Sequence, residues 1–283
     1  TLAVGEKYEN MFNTYCKKNW QKYCEIFDYD LIVIKELLDK SNRARERSVA
    51  WQKLLILSQE WSDNYDQIVW IDTDIIINYK QAKDITSHVP LEKVGAVEEY
   101  SIPSKILHGI SQKRLFDYWK KFNVPYIDNL TPGEYYKNRG IPGGDLKEVV
   151  QTGVFVCSTK YHQKIFEHIY YNYEDINKTA AWNYEMPAMS YELLKGDLVE
   201  WIPNEYNYCV FDIISTYYPF ILLEKSPIIK RIHIKLMKLL GIKNYNIFTT
   251  LQIKCLDQIY SNGYFIHYAG CHSWIKYNRV RIN

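Results

Sequence analysis

The sequence predicts an α/β fold in which a mostly parallel central sheet is flanked by helices. Short apolar runs of strand length alternate along the chain with longer segments whose apolar residues recur at helical spacing. This alternation is typical of parallel sheets with both faces covered. A length of 283 residues suits one large domain. The net charge of +2 gives no electrostatic reason to expect a nucleic-acid partner.

The elements are assigned from apolar periodicity and from punctuation by Gly and Pro. The predicted strands cover residues 1–5, 30–34, 67–71, 94–97 and 153–157. The predicted helices cover residues 8–26, 48–60, 112–121 and 160–171. Ser48 is a candidate N-cap for the second of these helices. Several Gly and Pro residues predict a long functional loop at 125–145.

Two carboxylates stand one residue apart, at Asp72 and Asp74, between the strand 67–71 and the apolar run 75–77. Side chains alternate along a strand, so both acids face the same side. Burial of both is unfavourable unless a cation neutralises them, and oxygen ligands suit Mg²⁺ or Mn²⁺. Such an ion usually also holds substrate phosphates. The pattern predicts a metal site that acts on a diphosphate. The alternative is a chance D-x-D in a solvated turn, which the apolar flanks disfavour.

A second segment points to the same chemistry. The apolar residues 264–266 precede His267, and Gly270 follows three residues later. A neutral imidazole binds Mn²⁺ well beside carboxylates, and a Gly lets the backbone approach a phosphate closely. Because a lone His is more often structural, the prediction of His267 as a third metal ligand depends on the acid pair.

Together these segments resemble the GT-A glycosyltransferases, in which a D-x-D motif ends a central strand and binds a metal-bound nucleotide sugar. The glycogenin type of retaining member carries H-x-x-G-x-x-K-P-W near its end, and the plant and fungal galactosyl- and xylosyltransferases carry an H-F-x-G-C version. The corresponding run here is His267-Tyr268-Ala269-Gly270-Cys271-His272-Ser273-Trp274. The family's Lys-Pro is replaced by His272-Ser273.

The resemblance implies a GT-A-like single domain and a metal-dependent glycosyltransferase. A hexose or pentose would move from a nucleotide-diphosphate donor to a hydroxyl of a glycan or glycolipid, with retention of configuration. Mn²⁺ or Mg²⁺ would be held by Asp72, Asp74 and His267. If the enzyme inverts instead, an acidic residue of the site should act as general base.

The resemblance also assigns residues to the donor. Residues 47–53 are similar to the helix behind the nucleotide site, which implies that Arg47 and Lys53 face the donor phosphates. The other donor-binding residues in this analogy are Thr1, Leu2, Ala3, Asp72, Thr73 and Gly270.

Two acids are the predicted catalytic residues. Glu185 stands where related enzymes place an acidic residue beneath the sugar, and its alternative role is that of a helix-start acid near the dipole. Asp145, in a Gly-rich segment, is the second candidate. The predicted acceptor-binding residues are Gly143, Gly144, Gln151 and Trp182.

Three regions follow from these assignments. Residues 1–212 form the donor- and acceptor-binding core, 213–262 a helical insertion, and 263–283 a segment that returns to the metal site. Within the insertion, residues 227–240 predict an amphipathic helix with a basic polar face. Such a helix either packs on the domain with its basic face solvated, which is the commoner case, or lies on an anionic membrane surface.

No run of roughly 18 apolar residues is present, and the cysteines are scattered, which favours a reduced setting. We therefore expect a cytoplasmic protein or one peripheral at a membrane. The chain opens at Thr1 without Met, so an upstream signal or anchor stays open. Two other functions also stay open: a haloacid-dehalogenase-like phosphatase with Asp72 as nucleophile, and a non-catalytic glycan- or membrane-binding domain, for which the 26 Tyr are suited.

Overall fold

The computed structural model describes residues 1–121, 131–174, 184–225, 227–242 and 247–278. The strands are β1 Ile68–Ile71, β2 Ile75–Ile77, β3 Val94–Glu98, β4 Val150–Cys157, β5 Val199–Trp201, β6 Tyr208–Cys209 and β7 Phe265–His267. The α-helices are α1 Glu6–Met11, α2 Lys17–Phe27, α3 Asn42–Arg45, α4 Lys105–Lys120, α5 Pro132–Lys137, α6 Thr159–Asn172, α7 Met186–Lys195, α8 Val210–Tyr217, α9 Pro227–Leu239 and α10 Ile247–Asn262. A π-helical stretch, Phe12–Cys16, joins α1 to α2. The 3₁₀-helices are Val49–Ser58, Glu60–Asn64, Glu99–Ser101, Asn204–Asn207, Pro219–Lys225 and His272–Tyr277.

The described strands form two small sheets, of order β1-β4-β3-β5 and β2-β7-β6. The prediction of an α/β fold with flanking helices is confirmed. The prediction of a mostly parallel sheet is wrong, because three of the five described strand pairs are antiparallel. Consecutive strands β1 and β2 belong to different sheets, so the simple strand–helix–strand crossover that the alternation suggested does not apply here.

Two predicted strands are reduced to a single contact. Leu2 and Ile34 form an isolated parallel bridge, which is all that remains of the predicted strands at 1–5 and 30–34. The predicted helix at 48–60 is a 3₁₀-helix, and the Ser48 side chain caps it by accepting the backbone N–H of Ala50 at 3.2 Å. The predicted loop at 125–145 contains α5, and its residues 125–130 lie outside the described ranges.

Side chains of the first helical segment take the place of a neighbouring strand along the outer edge of β2. The Asn19 side chain donates to the carbonyl of Ile77 and accepts its N–H, each at 2.7 Å. The indole of Trp20 donates to the carbonyl of Ile75 at 2.8 Å, and the Cys16 thiol donates to that of Thr73 at 3.2 Å. These bonds satisfy backbone groups that an edge strand otherwise leaves open. They fix the backbone just after Asp72.

The buried apolar residues form two clusters. One surrounds the three-stranded sheet, with Phe12, Trp20 and Phe265, and also takes in Val154 and Val156 of the four-stranded sheet. The other packs the 3₁₀-helix Val49–Ser58 and α6 against the four-stranded sheet. The link between β1 and β2 carries the acidic motif, and the first cluster includes the residues on both sides of it, Ile71 and Ile75.

The last part of the described chain adds both helices and a strand. The described part of residues 213–262 is helical, and α8 crosses the predicted boundary at 212, since it begins in the core at Val210. β7 then returns to lie between β2 and β6. Within the described ranges, every helix is too short or too polar to cross a membrane.

Candidate active site

The acidic motif is tied by its backbone to both sheets. The N–H of Asp72 donates to the carbonyl of Gly153 on β4 at 2.9 Å, and the carbonyl of Asp74 accepts the N–H of Tyr268 at 3.0 Å. Strand β1 thus delivers Asp72, and strands β2 and β7 hold Asp74. The two acids therefore stand on a fixed frame rather than in a loose turn.

A buried ammonium links two carboxylates beneath the site. Lys53 Nζ lies 3.1 Å from Asp72 Oδ1 and 2.9 Å from Glu185 Oε1. It also donates to the carbonyl of Thr152 at 3.0 Å, and the Trp70 indole N–H donates to Asp72 Oδ1 at 2.8 Å. Burial disfavours the charged amine, but the carboxylates of Asp72 and Glu185 outweigh it and raise the pKa of Lys53 above its ordinary value. Lys53 therefore stays charged.

Glu185 is almost fully buried, and its two oxygens differ. Oε1 accepts from Lys53 and, at 2.8 Å, from the hydroxyl of Thr152. Oε2 is shielded from solvent and has no hydrogen-bond partner among the described residues. The residue precedes α7 but makes no side-chain cap bond to it. Glu185 therefore stands at the start of α7, where its charge also meets the helix dipole, but its side chain does not cap the helix.

A chain of amide contacts orients His267. The backbone N–H of Gly153 donates to Gln151 Oε1 at 2.5 Å, which identifies that atom as the oxygen. Asn207 must then donate its Nδ2 to the same oxygen, at 2.7 Å, and its Oδ1 faces His267 Nδ1 at 2.7 Å. Nδ1 therefore carries the proton, and Nε2 points to Asp74 Oδ1 at 3.3 Å. With the proton on Nδ1, both His267 Nε2 and Asp74 Oδ1 are hydrogen-bond acceptors. A proton or a metal ion must therefore lie between them.

Electrostatics at this pair favours the charged forms. Burial works to lower the pKa of His267, but the Asp74 carboxylate and the hydrogen bond to it raise that pKa above its ordinary value. Burial likewise works to raise the pKa of Asp74, and His267 outweighs it, so the pKa of Asp74 lies below its ordinary value. The pair is thus held together by charge inside a poorly solvated site.

Gly153 leaves the space that His267 needs. A Cβ at this position would lie 2.8 Å from His267 Nδ1 and still closer to its Cε1. We expect Gly153→Ala to lower the free energy of unfolding by about 1–3 kcal/mol, because ring and backbone must shift to accommodate the methyl. Urea denaturation measures this difference.

The matched control for that substitution is Gly109→Ala, in the exposed middle of α4, where a Cβ meets nothing within 4 Å. It should be neutral or stabilise the protein by about 0.5–1 kcal/mol, since Ala is the better helix former. Equal effects of the two substitutions would contradict the steric account of Gly153.

The three predicted metal ligands are brought near one another only in part. Among the described residues, no group of three or more His, Cys, Asp or Glu side chains is arranged to hold a metal ion. Asp72 is turned to Lys53, whereas Asp74 and His267 face each other. Two neighbouring ligands of an octahedral ion, each about 2.1 Å from it, lie about 3 Å apart. The Asp74–His267 pair fits a divalent ion that takes its other ligands from water and phosphate.

These groups line one side of a cavity of about 650 Å³. Its acidic and basic floor consists of Lys53, Asp72, Asp74, Glu185 and His267. Its aromatic walls consist of Tyr8, Tyr100, Trp119, Tyr135, Tyr184 and Phe211. Gly270, at φ +68°, also lines it, together with Thr73, Gln151 and His272. A cavity of this size with a few convergent polar groups is typical of ligand sites.

A second acidic pair lines the same cavity. Burial, with the charges of Asp212 and Glu98, raises the pKa of Glu99 above its ordinary value. Burial also raises the pKa of Asp212, although Ser111 and Gln112 donate to its Oδ1 at 2.9 and 3.0 Å. Sequence reasoning missed both acids. The available signal was that Asp212 directly follows a short apolar run, as Asp72 does, and that Glu99 follows such a run after one intervening acid, Glu98.

Several predicted site residues lie elsewhere. The Arg47 guanidinium contacts Glu174 and the carbonyl of Tyr170 and stacks on Trp51, so it holds the end of α6 and does not face the cavity. Its prediction as a donor residue is wrong, because the 3₁₀-helix begins only at Val49 and the guanidinium lies on the α6 side.

The Gly-rich segment is also outside the cavity lining. Asp145 and Gly144 are exposed, and Gly143 packs on the ring of Tyr136. None of the three lines the cavity, so their predicted catalytic and acceptor roles are corrected. Trp182 lies outside the described residues.

The first residues do not reach the cavity either. Leu2 pairs with Ile34, Ala3 is fully buried in the core, and Thr1 lines a separate cavity of about 150 Å³. The first residue in the sequence that lines the larger cavity is Val4. The predicted donor contacts of Thr1, Leu2 and Ala3 are corrected accordingly.

The solved structures to which this chain is similar include two glycosyltransferases. No protein-family model matches the sequence, and a search of curated proteins finds no match. A glycosyltransferase involved in the glycosylation of the major capsid of PBCV-1 is 14% identical with a TM-score of 0.48, over 97% of this chain and 97% of that one. The bifunctional glycosyltransferase WbbM is 16% identical with a TM-score of 0.38, over 83% of this chain and 35% of that one.

Proposed function

We propose that the protein is a metal-dependent glycosyltransferase that moves a sugar from a nucleotide-diphosphate donor to a hydroxyl of a glycan or glycolipid. The observation that carries this proposal is the arrangement of Asp74, His267, Lys53 and Glu185 along one side of a cavity of about 650 Å³. The size of the cavity suits a nucleotide sugar and its acceptor. The aromatic walls suit sugar faces.

The charge of the floor supports a requirement for a cation. Asp72, Asp74 and Glu185 bring three carboxylates to it, and Lys53 pairs with two of them. A diphosphate that enters this site is repelled unless more positive charge comes with it. Asp74 and His267 would hold Mn²⁺ or Mg²⁺, which supplies Lewis acidity to the departing diphosphate when bound.

The residues of this chain divide the remaining work. Lys53 fixes the Asp72 and Glu185 carboxylates, and the Asn207 amide holds the ring of His267 in one orientation. Glu185 lines the cavity, and its buried carboxylate would stabilise the positive charge that develops at the anomeric carbon. Glu99 and Asp212 are placed to accept hydrogen bonds from acceptor hydroxyls. Retention of configuration is expected from the resemblance of the His267–Gly270 segment to the retaining families.

The phosphatase alternative gains no specific support. Asp72 Oδ1 accepts from both Lys53 and the Trp70 indole, contacts that hold this carboxylate in place and are as compatible with a fixed electrostatic role as with a nucleophile. The binding-module alternative does not explain a buried charge network on the cavity floor. Glycosyl transfer is therefore the function that we propose.

A donor screen tests the proposal. The protein is incubated with Mn²⁺ and each UDP-, GDP- and dTDP-linked sugar, and released nucleotide is quantified. We expect release from one donor, abolished by EDTA, with calorimetry detecting Mn²⁺-dependent binding of the same nucleotide diphosphate.

Two results would overturn it. Turnover of a generic phosphate ester without nucleotide release supports the phosphatase. Absence of both turnover and metal-dependent nucleotide binding removes catalysis from the cavity altogether.

A further inference from the structure

Exposed large apolar side chains concentrate in one stretch of the chain. Of the 21 such residues in the described ranges, 11 lie between residues 217 and 247, which is a small fraction of the length. They are Tyr217, Phe220, Leu223, Ile228, Ile232, Ile234, Leu236, Leu239, Leu240, Ile242 and Ile247. Apolar surface gathered in this way marks an interaction site more often than chance exposure.

The apolar side of α9 faces solvent. At 100° per residue, Ile228, Ile232, Leu236 and Leu239 fall within about 80° of one another on the helix. All four are exposed, Leu239 by 84% and Ile228 by 68%. This apolar arc is therefore not the side by which α9 packs on the domain.

A different side of α9 holds the helix to the domain. Met237 is buried, and the ring of His233 stands edge-on to that of Phe248 on α10. The helix also contacts the 3₁₀-helix Pro219–Lys225. α9 thus lies along the surface with its exposed apolar arc on one flank.

Basic residues border that arc. Arg231, Lys235 and Lys238 are exposed and occupy about 60° of the helix beside the apolar arc, on the flank opposite Met237. The helix sequence PIIKRIHIKLMKL contains no Asp or Glu. An apolar arc with a one-sided basic border is complementary to a lipid surface that carries negative headgroups.

We propose that residues 217–225 and 227–242, the docking surface, hold the protein on an anionic membrane. The apolar arc of α9 would enter the boundary between headgroups and acyl chains, and Arg231, Lys235 and Lys238 would contact the headgroups. Phe220 and Leu223 on the neighbouring 3₁₀-helix extend the apolar area. This proposal does not depend on the activity of the cavity.

Helix α8 connects the docking surface to the cavity. Phe211 and Asp212, at its start, line the cavity, and Tyr217, at its end, is exposed. The rise of a helix places these ends roughly 10 Å apart. If the proposed transferase function holds, docking places a lipid-linked acceptor within reach of the cavity.

Vesicle co-sedimentation tests the docking surface without any activity assay. The full chain is mixed with vesicles of phosphatidylcholine and phosphatidylglycerol, and with pure phosphatidylcholine. We expect binding to the anionic vesicles and weak binding to the neutral ones. Arg231→Gln/Lys235→Gln/Lys238→Gln should weaken partition roughly 100-fold, because each basic residue near the surface contributes separately. Ile232→Ser/Leu239→Ser should weaken it about tenfold or more.

Matched controls remove the same charge or the same apolar area elsewhere. Lys113→Gln/Lys121→Gln/Lys164→Gln changes three exposed lysines, and Ile106→Ser/Ile110→Ser changes two isoleucines that are 88% and 46% exposed on α4. Both controls should bind as the wild type does. Equal losses in the controls, or a wild type that ignores both vesicles, would overturn the proposal. A wild-type dimer that Ile232→Ser/Leu239→Ser converts to a monomer, without vesicle binding, would assign the face to self-association instead.

Discussion

Asp74→Asn is expected to abolish metal-dependent turnover of the nucleotide sugar while leaving the fold intact. The substitution removes a negative charge that pairs with His267 at 3.3 Å, and an amide is a poor ligand for a divalent ion. Loss of one preorganised electrostatic contact lowers kcat by about 10²–10³-fold, and loss of the ion should exceed that. The carbonyl of Asp74 still accepts from Tyr268, so the strand connection survives. Nucleotide release under saturating Mn²⁺ and donor, with circular dichroism as a check of folding, measures the effect.

The control for this prediction comes from the residue that the structure removes from the site. Asp145 is exposed and does not line the cavity, so Asp145→Asn makes the same chemical change without touching the floor. Its turnover should equal that of the wild type. Turnover of Asp74→Asn within a few-fold of the wild type, or an equal loss in both variants, would remove Asp74 from the reaction.

Lys53→Met is expected to have the largest effect on stability. The side chains of Lys53 and Glu185 are 3% and 2% exposed, whereas that of Asp72 is 31% exposed. Removal of the ammonium leaves the buried Glu185 carboxylate without a counter-charge, which destabilises a protein by about 3–5 kcal/mol. Urea denaturation monitored by Trp fluorescence gives the free energy of unfolding, and nucleotide release should be lost in parallel.

A double variant separates charge from packing. In Lys53→Met/Glu185→Gln the orphaned carboxylate is also neutralised, so we expect recovery of part of the lost stability, with a coupling of about 0.5–3 kcal/mol between the two positions. Activity should not return, because the double variant lacks both the Lys53 ammonium and the Glu185 carboxylate. Strictly additive losses would show that Lys53 and Glu185 do not interact as their 2.9 Å separation indicates.

The site residues that could be predicted from the sequence are those that stand beside a recognisable local pattern. Asp72 and His267 each follow a short apolar run and Asp74 precedes one, and such runs indicate burial whatever they pair with. Lys53, Gln151 and Glu185 were also predicted, by resemblance, and all three line the cavity. Asn207 was missed because it belongs to the site only through its contacts with Gln151 and His267, which lie 56 and 60 residues away in the sequence.

Strand partners were harder to predict than strands, for the same reason. The strand predicted at 153–157 lies within β4, Val150–Cys157, but nothing in its residues says that it pairs antiparallel with both β1 and β3. Arg47 shows the opposite case, in which a local pattern predicted a contact that the structure does not contain. Its sequence neighbourhood resembles a donor-binding helix, yet a guanidinium on a long side chain reaches the carbonyls at the end of α6 instead.

The place of β7 has a consequence for how the protein is made. β7 is the middle strand of its sheet, bonded to both β2 and β6, although it follows every other described strand in the sequence. Because synthesis runs from the first residue onward, β2 and β6 leave the ribosome before the strand that lies between them. His267 emerges after all the other described lining residues of the cavity except Ala269, Gly270 and His272. A nascent chain would thus complete this side of the cavity only after β7 has emerged. Chains that stop before β7 would lack His267 and with it one half of the Asp74–His267 pair.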